Sequence, residues 1–182
     1  MRRMRRVGII GGLPMLLIAL AASAAWAVTP GTYTPTAGSF NPANAPGSAH
    51  LASGTVQCVV NADLSISCSP YVLGGVGNTN ATVSLAATYS ATINCTNNGG
   101  NLVESHTTTF SVASTATVAS TRNGQLRVPS RSASPFSAPQ VCPNPNWTPS
   151  IAPGTLTLDT FTYTLTFAGF SSPYITITAS DP

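Results

Sequence analysis

The chain has 182 residues with a formal net charge of +3, and only 6% of its residues are charged. Four of the seven basic residues lie within positions 1–6, and the sequence contains no lysine. Removal of an N-terminal segment 1–27 leaves three arginines against four carboxylate side chains, a net charge of −1. A nucleic-acid binder needs several cations to displace phosphate counterions, and a peripheral membrane protein needs a basic or amphipathic patch. The composition therefore argues against both classes.

The N-terminus has the three parts of a secretory signal peptide. Four arginines precede an apolar run over 7–25, which ends in the A-x-A cleavage signature Ala25-Trp26-Ala27. We therefore predict a signal-peptide helix over 1–27 that is removed on export. Val7-Gly8 after the arginines favours the general secretory route, with twin-arginine export as the open alternative. No later apolar run reaches membrane-spanning length, so we expect a secreted protein, extracellular or loosely associated with the cell wall, with no membrane partner.

The mature chain begins with an extended lead-in. Pro, Gly, Ala and Thr dominate 28–50, and the prolines restrict any strand there, at 31–40, to the edge of a sheet. A hairpin follows, with strands over 51–60 and 64–71. We expect its loop to have three residues, Ala62-Asp63-Leu64.

The clearest strand is 83–95, in which apolar side chains alternate with small polar ones. Successive side chains of a strand point to opposite faces, so one apolar row faces inward and one polar row faces water. The run ends on Cys95 and breaks at a turn cluster over 97–101. We predict that 83–95 is the central strand of a half-buried antiparallel sheet.

The next β-prone stretch, 102–118, leads to the strongest turn signal of the chain. Asn123-Gly124 suits the positive φ angles of a type I′ turn, which should join 115–121 to 126–128. Beyond this hairpin, prolines crowd the segment 129–153. We predict an irregular loop there, and a loop this long is usually functional or disordered.

Strand patterning returns over 154–167 and 174–179. Apolar residues change from even to odd positions near Asp159, which predicts a bulge or a strand corner. No stretch has helical periodicity, and short strands with turn signals recur throughout the single domain predicted over 51–182. The sequence therefore predicts an all-β fold, an antiparallel β-sandwich of roughly seven to nine strands with a broadly immunoglobulin-like shape.

Four cysteines follow the signal segment: Cys58, Cys68, Cys95 and Cys142. An even number in an exported chain predicts two disulfides, and the absence of a C-x-x-C pair disfavours zinc. Cys58 falls opposite Cys68 across the first predicted hairpin, which favours the pairs 58–68 and 95–142. Because directly opposite cysteines can be strained, an inter-sheet pair such as 58–95 is left open.

Catalytic or metal chemistry would have to come from Glu104, His106 and Asp159. Glu104 and His106 lie two apart on a predicted strand and so share a face, but a metal site needs three or four ligands. Asp63 is expected in a turn, and no G-x-S-x-G elbow occurs. We predict a non-enzyme with no cofactor or metal, and interpret Glu104 and His106 as a solvent-facing pair beside a turn.

Threonines alternate along the last strands in Thr-x-Thr arrays that resemble the ice-facing surfaces of some antifreeze proteins. These threonines are Thr155, Thr157, Thr160, Thr162, Thr164, Thr166, Thr176 and Thr178. Because threonine is enriched in strands, the pattern is typical of any β surface with few charges. The parity of the threonines differs between strands, so we expect no regular stacking of rows.

Two motif blocks flank the predicted long-range disulfide. They are Cys95-Thr96-Asn97-Asn98-Gly99-Gly100-Asn101 and Cys142-Pro143-Asn144-Pro145-Asn146-Trp147. These blocks resemble the paired CTNxGGN and CPNxNW motifs of uncharacterised small exported proteins of the high-GC Gram-positive, actinobacterial type. The resemblance spans 54–167. It implies that the two blocks form one structural unit, and it implies no activity.

The leading hypothesis is a secreted, non-catalytic structural or adhesive protein with a protein, cell-wall or glycan partner. We expect its contact surface in the proline-rich segment, at the end of the fold that also carries the 97–101 turn. Aromatic anchors carry much of the energy of interfaces. The candidate contact residues are Trp147, Phe136, Asn144 and Asn146.

Two alternatives belong to other functional classes. A carbohydrate-binding module requires an exposed row of aromatic side chains, for which the candidates are Tyr33, Tyr71, Tyr163 and Tyr174. A secreted hydrolase or inhibitor requires Glu104, His106 and Asp159 to meet in one cleft.

Overall fold

The computed structural model describes residues 27–138 and 140–180, in which most of the regular structure is β-strand. The strands are β1 (Gly31–Tyr33), β2 (His50–Gly54), β3 (Cys58–Val60), β4 (Ile66–Cys68), β5 (Tyr71–Gly74), β6 (Ala81–Thr96), β7 (Leu102–Val118), β8 (Leu126–Val128), β9 (Arg131–Ala133), β10 (Thr148–Ile151), β11 (Thr157–Phe167) and β12 (Ile175–Ser180). Two single-turn 3-10 helices, Pro42–Asn44 and Pro135–Ser137, complete the described elements. The prediction of an all-β protein with antiparallel sheets is confirmed.

The N-terminal signal-peptide helix was predicted on residues that, up to position 26, lie outside the described part of the chain. Within the described ranges, no helix has both the length and the apolar character needed to cross a membrane.

The largest sheet has five strands and is organised around β6. β7 pairs along one edge of β6, whereas β11 and β10 pair one after the other along the opposite edge. β12 completes the sheet beside β11. All four pairings are antiparallel, and the odd-numbered residues of β6 are buried along its whole length. The interpretation of 83–95 as a central strand with one apolar face is confirmed.

Two smaller sheets, ordered β1-β3-β4-β9 and β2-β5-β8, pack against the inner face of the large sheet. They keep a common register: Ile66 lies opposite Ala133, and further along the same pair of chain segments Leu73 lies opposite Leu126. A proline in each segment lies at the break between the two sheets, since proline cannot donate a ladder hydrogen bond. β3 pairs with β4 and β2 pairs with β5, so the predicted hairpin of 51–60 and 64–71 is present. Each of its arms is divided into two short strands.

One hydrophobic core joins the large sheet to the smaller ones. The hydroxyl oxygens of Tyr71 and Tyr163 are 3.0 Å apart across the interface between the layers. The ring of Tyr33 packs edge-on against Phe161 with centroids 5.2 Å apart. Apart from tyrosine hydroxyls, no polar or charged side chain of the described residues is buried. The packing of the layers is therefore stabilised by apolar burial, at about 25 cal/mol per Å², and not by ion pairs.

The bulge predicted near Asp159 is confirmed. Leu158 lies opposite Tyr89 and Thr160 lies opposite Thr88, so Asp159 is the extra residue of β11. One inserted residue moves every later side chain to the other face of a strand. This insertion explains why even-numbered apolar residues before it and odd-numbered ones after it point into the same core.

The turn at Asn123-Gly124 joins β7 to β8 as predicted, but it is not of type I′. Gly124 has a positive φ of 69°, whereas Asn123 does not. The Thr121 N–H donates to the Gln125 carbonyl at 2.7 Å, and the Gly124 N–H donates to the Thr121 carbonyl at 3.0 Å. The loop therefore has three residues and ends on a left-handed glycine, the next most common hairpin geometry.

The lead-in contributes β1 at an edge, beside β3, within the range predicted for an edge strand. Further along, the lead-in covers the free edge of β12. The Thr36 N–H donates to the Thr176 carbonyl at 2.8 Å, and the Phe40 N–H donates to the Tyr174 carbonyl at 2.7 Å. The lead-in therefore protects one edge of the large sheet.

Both favoured disulfides are present, Cys58–Cys68 and Cys95–Cys142, and the alternative pair 58–95 is not formed. Cys58 lies directly opposite Cys68 in the β3–β4 pairing, as the three-residue loop predicted. The second bridge joins the end of β6 to the proline-rich segment. Two disulfides fit a chain that folds in an oxidising compartment.

The segment 129–153 is more regular than predicted, because it contains β9 and β10. β10 pairs with β6 and places Pro149 opposite Cys95. Among the described residues no strand pairs with the other edge of β10, and an edge strand tolerates proline. Part of the proline-rich segment is therefore an edge strand and not a loop.

Candidate interaction surface

β6 and β7 extend beyond the main core. We call their far ends (91–109), together with the segment that covers them (134–138 and 140–156), the distal end. Ala91, Ile93 and Cys95 are buried there in a hydrophobic cluster separate from the main core. The partly buried apolar residues packed against this distal cluster are Phe110, Cys142, Trp147, Ile151 and Leu156. The proline-rich segment thus covers the last inward-facing residues of β6.

Short side-chain turns shape the covering segment. The Ser134 hydroxyl accepts a hydrogen bond from the Phe136 N–H at 3.3 Å, and the Asn144 side-chain oxygen accepts one from the Asn146 N–H at 2.9 Å. The Trp147 N–H donates to the Asn144 carbonyl at 3.0 Å. Ser and Asn side chains satisfy backbone groups in this way where no ladder is available. They turn the chain so that Trp147 meets the distal cluster just before β10 begins.

The four predicted contact residues have different environments. Trp147 is half-buried against the distal cluster, so it supports the fold of this end as well as lining its surface. Phe136 is 65% exposed. Asn146 is exposed, whereas the side chain of Asn144 is engaged in its own turn. Phe136 is thus the more exposed of the two aromatic residues, and Trp147 is a packing residue.

A groove of about 320 Å³ opens beside Phe136. Its lining includes Ile151 and Leu156 from the distal end, and Asp63 and Leu64 from the β3–β4 loop. Ile151 and Leu156 also pack against the distal cluster, so the groove and the cluster share a wall. Phe136 therefore shares the groove with two aliphatic residues that, like Trp147, pack against the distal cluster, and the groove is mainly apolar.

Exposed apolar side chains concentrate at the distal end. Leu102 is 58% exposed, Val103 43% and Val141 70%, in addition to Phe136. Leu102 lies opposite Thr96 in the β6–β7 pairing, and Val141 precedes the cysteine that is bonded to Cys95, so the three lie around the tip. The sequence reasoning missed them, although an apolar pair directly after a turn cluster is a visible signal.

One carboxylate lies at the rim of the groove. The Ser65 hydroxyl and backbone N–H both donate to an oxygen of Asp63, at 2.6 and 3.0 Å, and these bonds lower the pKa of the Asp63 carboxyl. Asp63 is exposed, so the rim carries a negative charge at neutral pH. Beneath the rim, the Tyr89 hydroxyl donates to the Leu64 carbonyl at 3.1 Å, and burial raises the pKa of Tyr89 to about 12.

The structure does not bring the candidate catalytic residues together. Glu104 and His106 do share a face, with His106 Nδ1 3.5 Å from Glu104 Oε1. They lie opposite Cys95 and Ile93, on the face of the sheet that carries the distal cluster, and both are about one-third exposed rather than fully solvent-facing. Asp159 accepts a hydrogen bond from Ser90, which belongs to the outward row of β6. The carboxylates are therefore on opposite faces of the sheet. The described residues contain no cluster of three or more His, Cys, Asp or Glu that could hold a metal ion.

The tyrosines do not form the exposed aromatic row that a carbohydrate-binding module would need. Tyr71, Tyr163 and Tyr174 are at most 3% exposed. Their hydroxyls have partners, since Tyr71 and Tyr163 bond each other and Tyr174 donates to the Ala49 carbonyl at 2.9 Å. Burial raises the pKa of each of these three phenols. They are core residues whose polar ends are satisfied.

The outer face of the large sheet carries ordered hydroxyl rows, contrary to the expectation of irregular stacking. The bulge at Asp159 brings the threonines of β11 into line with the outward residues of β6, β7 and β12. Several of these hydroxyls bond each other across the β6–β7 pair. The bonded pairs are Ser84–Thr115, Thr88–Ser111, Ser90–Thr109 and Thr92–Thr107. Cross-strand hydroxyl pairs stabilise strand pairing, so these rows support the β6–β7 pair, and Asp159 adds a carboxylate to the same face beside Ser90.

Comparison with protein-family models, with curated proteins and with solved structures gives no match to this chain. The function therefore has to be argued from the residues of the distal end and of the sheet itself.

Proposed function

We propose that the protein is a secreted, non-catalytic structural or adhesive module, a β-sandwich of broadly immunoglobulin-like shape that binds a protein or cell-wall glycan through its distal end. The observation that carries the proposal is the concentration of exposed apolar side chains there. The described chain has five exposed large apolar side chains, and four of them belong to this end: Leu102, Val103, Phe136 and Val141. Exposed apolar patches on polar surfaces mark interaction sites.

The rest of the surface supports this assignment by contrast. The outward rows of β6 and β7 consist almost entirely of Ser, Thr, Ala and Asn. Such a surface is well hydrated and offers no anchor for a partner. At the distal end, Phe136 stands at the rim of a groove with aliphatic walls, which is the arrangement of an interface anchor beside a pocket.

Secretion is part of the same proposal. It rests on the signal-like sequence of 1–27 and on the two disulfides, which need an oxidising compartment to persist. The protein would then act outside the cell or in loose association with the cell wall.

A carbohydrate partner is favoured by one specific feature, the pairing of exposed Phe136 with the Asp63 carboxylate across the groove. An aromatic face beside a hydrogen-bond acceptor fits a sugar ring, whose C–H groups are apolar and whose hydroxyls donate hydrogen bonds. The alternative of a hydrolase or inhibitor gains no support, because Asp159 lies on the opposite face of the sheet from Glu104 and His106.

The test is a binding measurement on the exported chain with purified cell walls, a glycan array and an array of surface proteins. The variant Phe136→Ser/Val141→Ser removes two exposed apolar anchors, and we expect binding about tenfold weaker, a loss of about 1.4 kcal/mol. Leu51→Ser is the matched control, since Leu51 is 40% exposed but lies in β2, away from the distal end.

Equal binding by the distal variant and the wild type would contradict the assignment of the distal end. Failure of the wild type to bind walls, glycans or proteins would contradict the adhesive function itself. Trp147→Ala is a poorer probe, because Trp147 packs against the distal cluster and its loss would disturb the fold.

A further inference from the structure

The long strand β7 has an open edge. It pairs with β6 along one side over its whole length, from Ala81↔Val118 to Thr96↔Leu102. No other strand pairs with it, and within the described residues no backbone group of 102–118 bonds to a segment on its other side. Alternate residues of an edge strand direct both N–H and C=O away from the sheet. β7 therefore presents a row of donors and acceptors along 17 residues.

The edge of the large sheet along β12 is protected. The lead-in covers β12 through backbone hydrogen bonds from Thr36 and Phe40, and the Ser39 hydroxyl bonds both N–H and carbonyl of Thr176. Proteins usually protect edge strands with lysine, proline, bulges or covering segments. Val103 is an extra residue at the start of β7, opposite the step from Cys95 to Thr96 of β6, but over 104–118 β7 has no lysine, proline, glycine or bulge. No backbone hydrogen bond from another segment of the described chain covers this stretch. An open edge of this length is a ready template for another strand.

We propose that β7 pairs antiparallel with β7 of a second copy of this chain, to form a two-fold symmetric dimer with a continuous sheet across both subunits. A symmetric pair of identical strands has to be antiparallel, because a two-fold axis reverses the strand direction. Full overlap of Leu102–Val118 centres the pairing on Phe110. This surface is separate from the distal groove, and the proposal does not depend on the proposed function.

The charges of β7 favour a second copy as the occupant. Glu104 and His106 are the only titratable residues of the strand. In the register centred on Phe110, Glu104 lies opposite Ala116 of the second copy and His106 lies opposite its Ser114. No like charges meet, so the strand does not repel itself. Like charges directly opposite each other would be destabilising.

The groups that face Glu104 and His106 within the molecule do not change this conclusion. Both side chains lie beside each other and opposite Cys95 and Ile93 of β6. The carboxylate of Asp159 bonds Ser90 on the other face of the sheet. The remaining 12-residue stretch 107–118 carries no charge at all.

On both faces of β7, the side chains are also compatible with those that the two-fold axis places opposite them. On the outer face, Thr109 lies opposite Ser111 of the second copy, which continues the hydroxyl pairs already present between β6 and β7. On the inner face, Phe110 lies opposite Phe110 of the second copy, with Thr108 opposite its Val112. Phe110 and Val112 are only half-buried in the single chain, so pairing would bury more of their surface.

The experiment measures the association of the exported full chain by sedimentation velocity over a wide concentration range. We expect a reversible dimer, and protection of β7 amides from hydrogen exchange that rises with protein concentration while protection of β12 amides does not. The variant Thr109→Lys/Ser111→Lys places four like charges at the centre of the dimer. We expect its dimer dissociation constant to rise about a hundredfold.

The matched control is Thr178→Lys/Ser180→Lys, which adds two exposed lysines with the same spacing to the outer face of β12. This control should dimerise like the wild type, and circular dichroism should show that both variants are folded. Three results would overturn the proposal: a wild type that stays monomeric, a dimer that survives Thr109→Lys/Ser111→Lys, or equal weakening by the control. A monomer whose β7 amides become protected only in the presence of cell-wall extract would assign the edge to another partner, and would equally overturn self-pairing.

Discussion

The main body of the molecule, which is the described chain outside the distal end, shares the long strands β6 and β7 with the distal end. The two regions differ in what stabilises the inner face of these strands. In the main body, the inward residues of β6 meet a core to which most of the other strands contribute, with buried aromatics such as Phe161, Tyr163 and Phe167. At the distal end, the buried residues are Ala91, Ile93 and Cys95, covered by a proline-rich segment. A disulfide closes a loop of 47 residues there. The distal end, which buries few residues, therefore depends more on its covalent link than the main body, which also contains the Cys58–Cys68 bridge but buries a far larger core.

This difference bears on function. A region that is held by a disulfide does not need every apolar side chain for its own core, so Phe136 and Val141 can remain exposed without loss of the fold. In the main body, by contrast, most of the large apolar side chains of the strands are buried. Because the disulfide stabilises the distal end, apolar residues on its surface are not needed for its fold.

The largest expected effect comes from removing the distal link. Cys95→Ala/Cys142→Ala should lower the free energy of unfolding of the distal end by about 4 kcal/mol, because a loop of this length regains its chain entropy. Hydrogen exchange should then accelerate at β10 and at the far end of β6, while β11 and β12 keep their protection.

The matched variant is Cys58→Ala/Cys68→Ala, which opens a loop with a sequence separation of only 10 in the main body. We expect a loss of about 3 kcal/mol that is shared by all strands of the main core. Equal acceleration of exchange in both regions after loss of the distal bridge would show that the two parts unfold as one, and would contradict the comparison.

A smaller effect is expected inside the main body, at the hydroxyl pair of Tyr71 and Tyr163. Tyr71→Phe or Tyr163→Phe alone leaves the other hydroxyl buried without its partner, at a cost of about 1.5 kcal/mol. The double variant should lose clearly less than the two single losses together, because it removes both polar groups. Urea unfolding measures all three values, and Tyr33→Phe, whose hydroxyl bonds the Thr29 carbonyl near the surface, should stay within about 0.5 kcal/mol of wild type.

The smallest effect concerns Asp63, at the rim of the groove between the two regions. Hydrogen bonds from Ser65 hold its pKa in the folded state below the ordinary value of 3.8. A lowered pKa stabilises the fold when the carboxylate is charged, so this contribution is present at neutral pH and is lost as the pH falls through the folded-state pKa. Asp63→Asn should remove this small contribution, so that the melting temperature of the variant depends less on pH below about pH 4 than that of the wild type. A carboxyl titration by NMR that found the Asp63 pKa above 3.8 would contradict it.

Several features could be predicted because they are local. The alternation over 83–95 was sufficient to identify β6 and its buried face, and Cys58 and Cys68 could be paired from the length of one loop. The parity change near Asp159 correctly indicated a bulge. Each of these depends on residues close together in sequence, where strand geometry leaves few alternatives.

Other features were missed because they depend on what lies on the far side of a strand. Proline in 148–151 looked like a loop signal, but Pro149 is tolerated because β10 lies at an edge. The sequence presented the candidate contact residue Trp147 as an exposed anchor, whereas the structure packs it against the distal cluster. The type I′ turn was wrong because Asn123-Gly124 also fits a three-residue loop, and the choice is made by the register of the flanking strands.

The sequence by itself determined the all-β class and the antiparallel pairing around β6, and it favoured both disulfides, since alternation, turn residues and cysteine positions act over short distances; the structure excluded the alternative pair 58–95. Only the tertiary structure decided which tyrosines are buried, that the hydroxyl rows align, and that Asp159 lies across the sheet from Glu104 and His106. It also decided that the lead-in covers β12 and leaves the edge of β7 open. The physical reason is that the order of strands in a sheet is set by contacts between segments far apart in the chain, and side-chain alternation is the same for a covered edge and an open one.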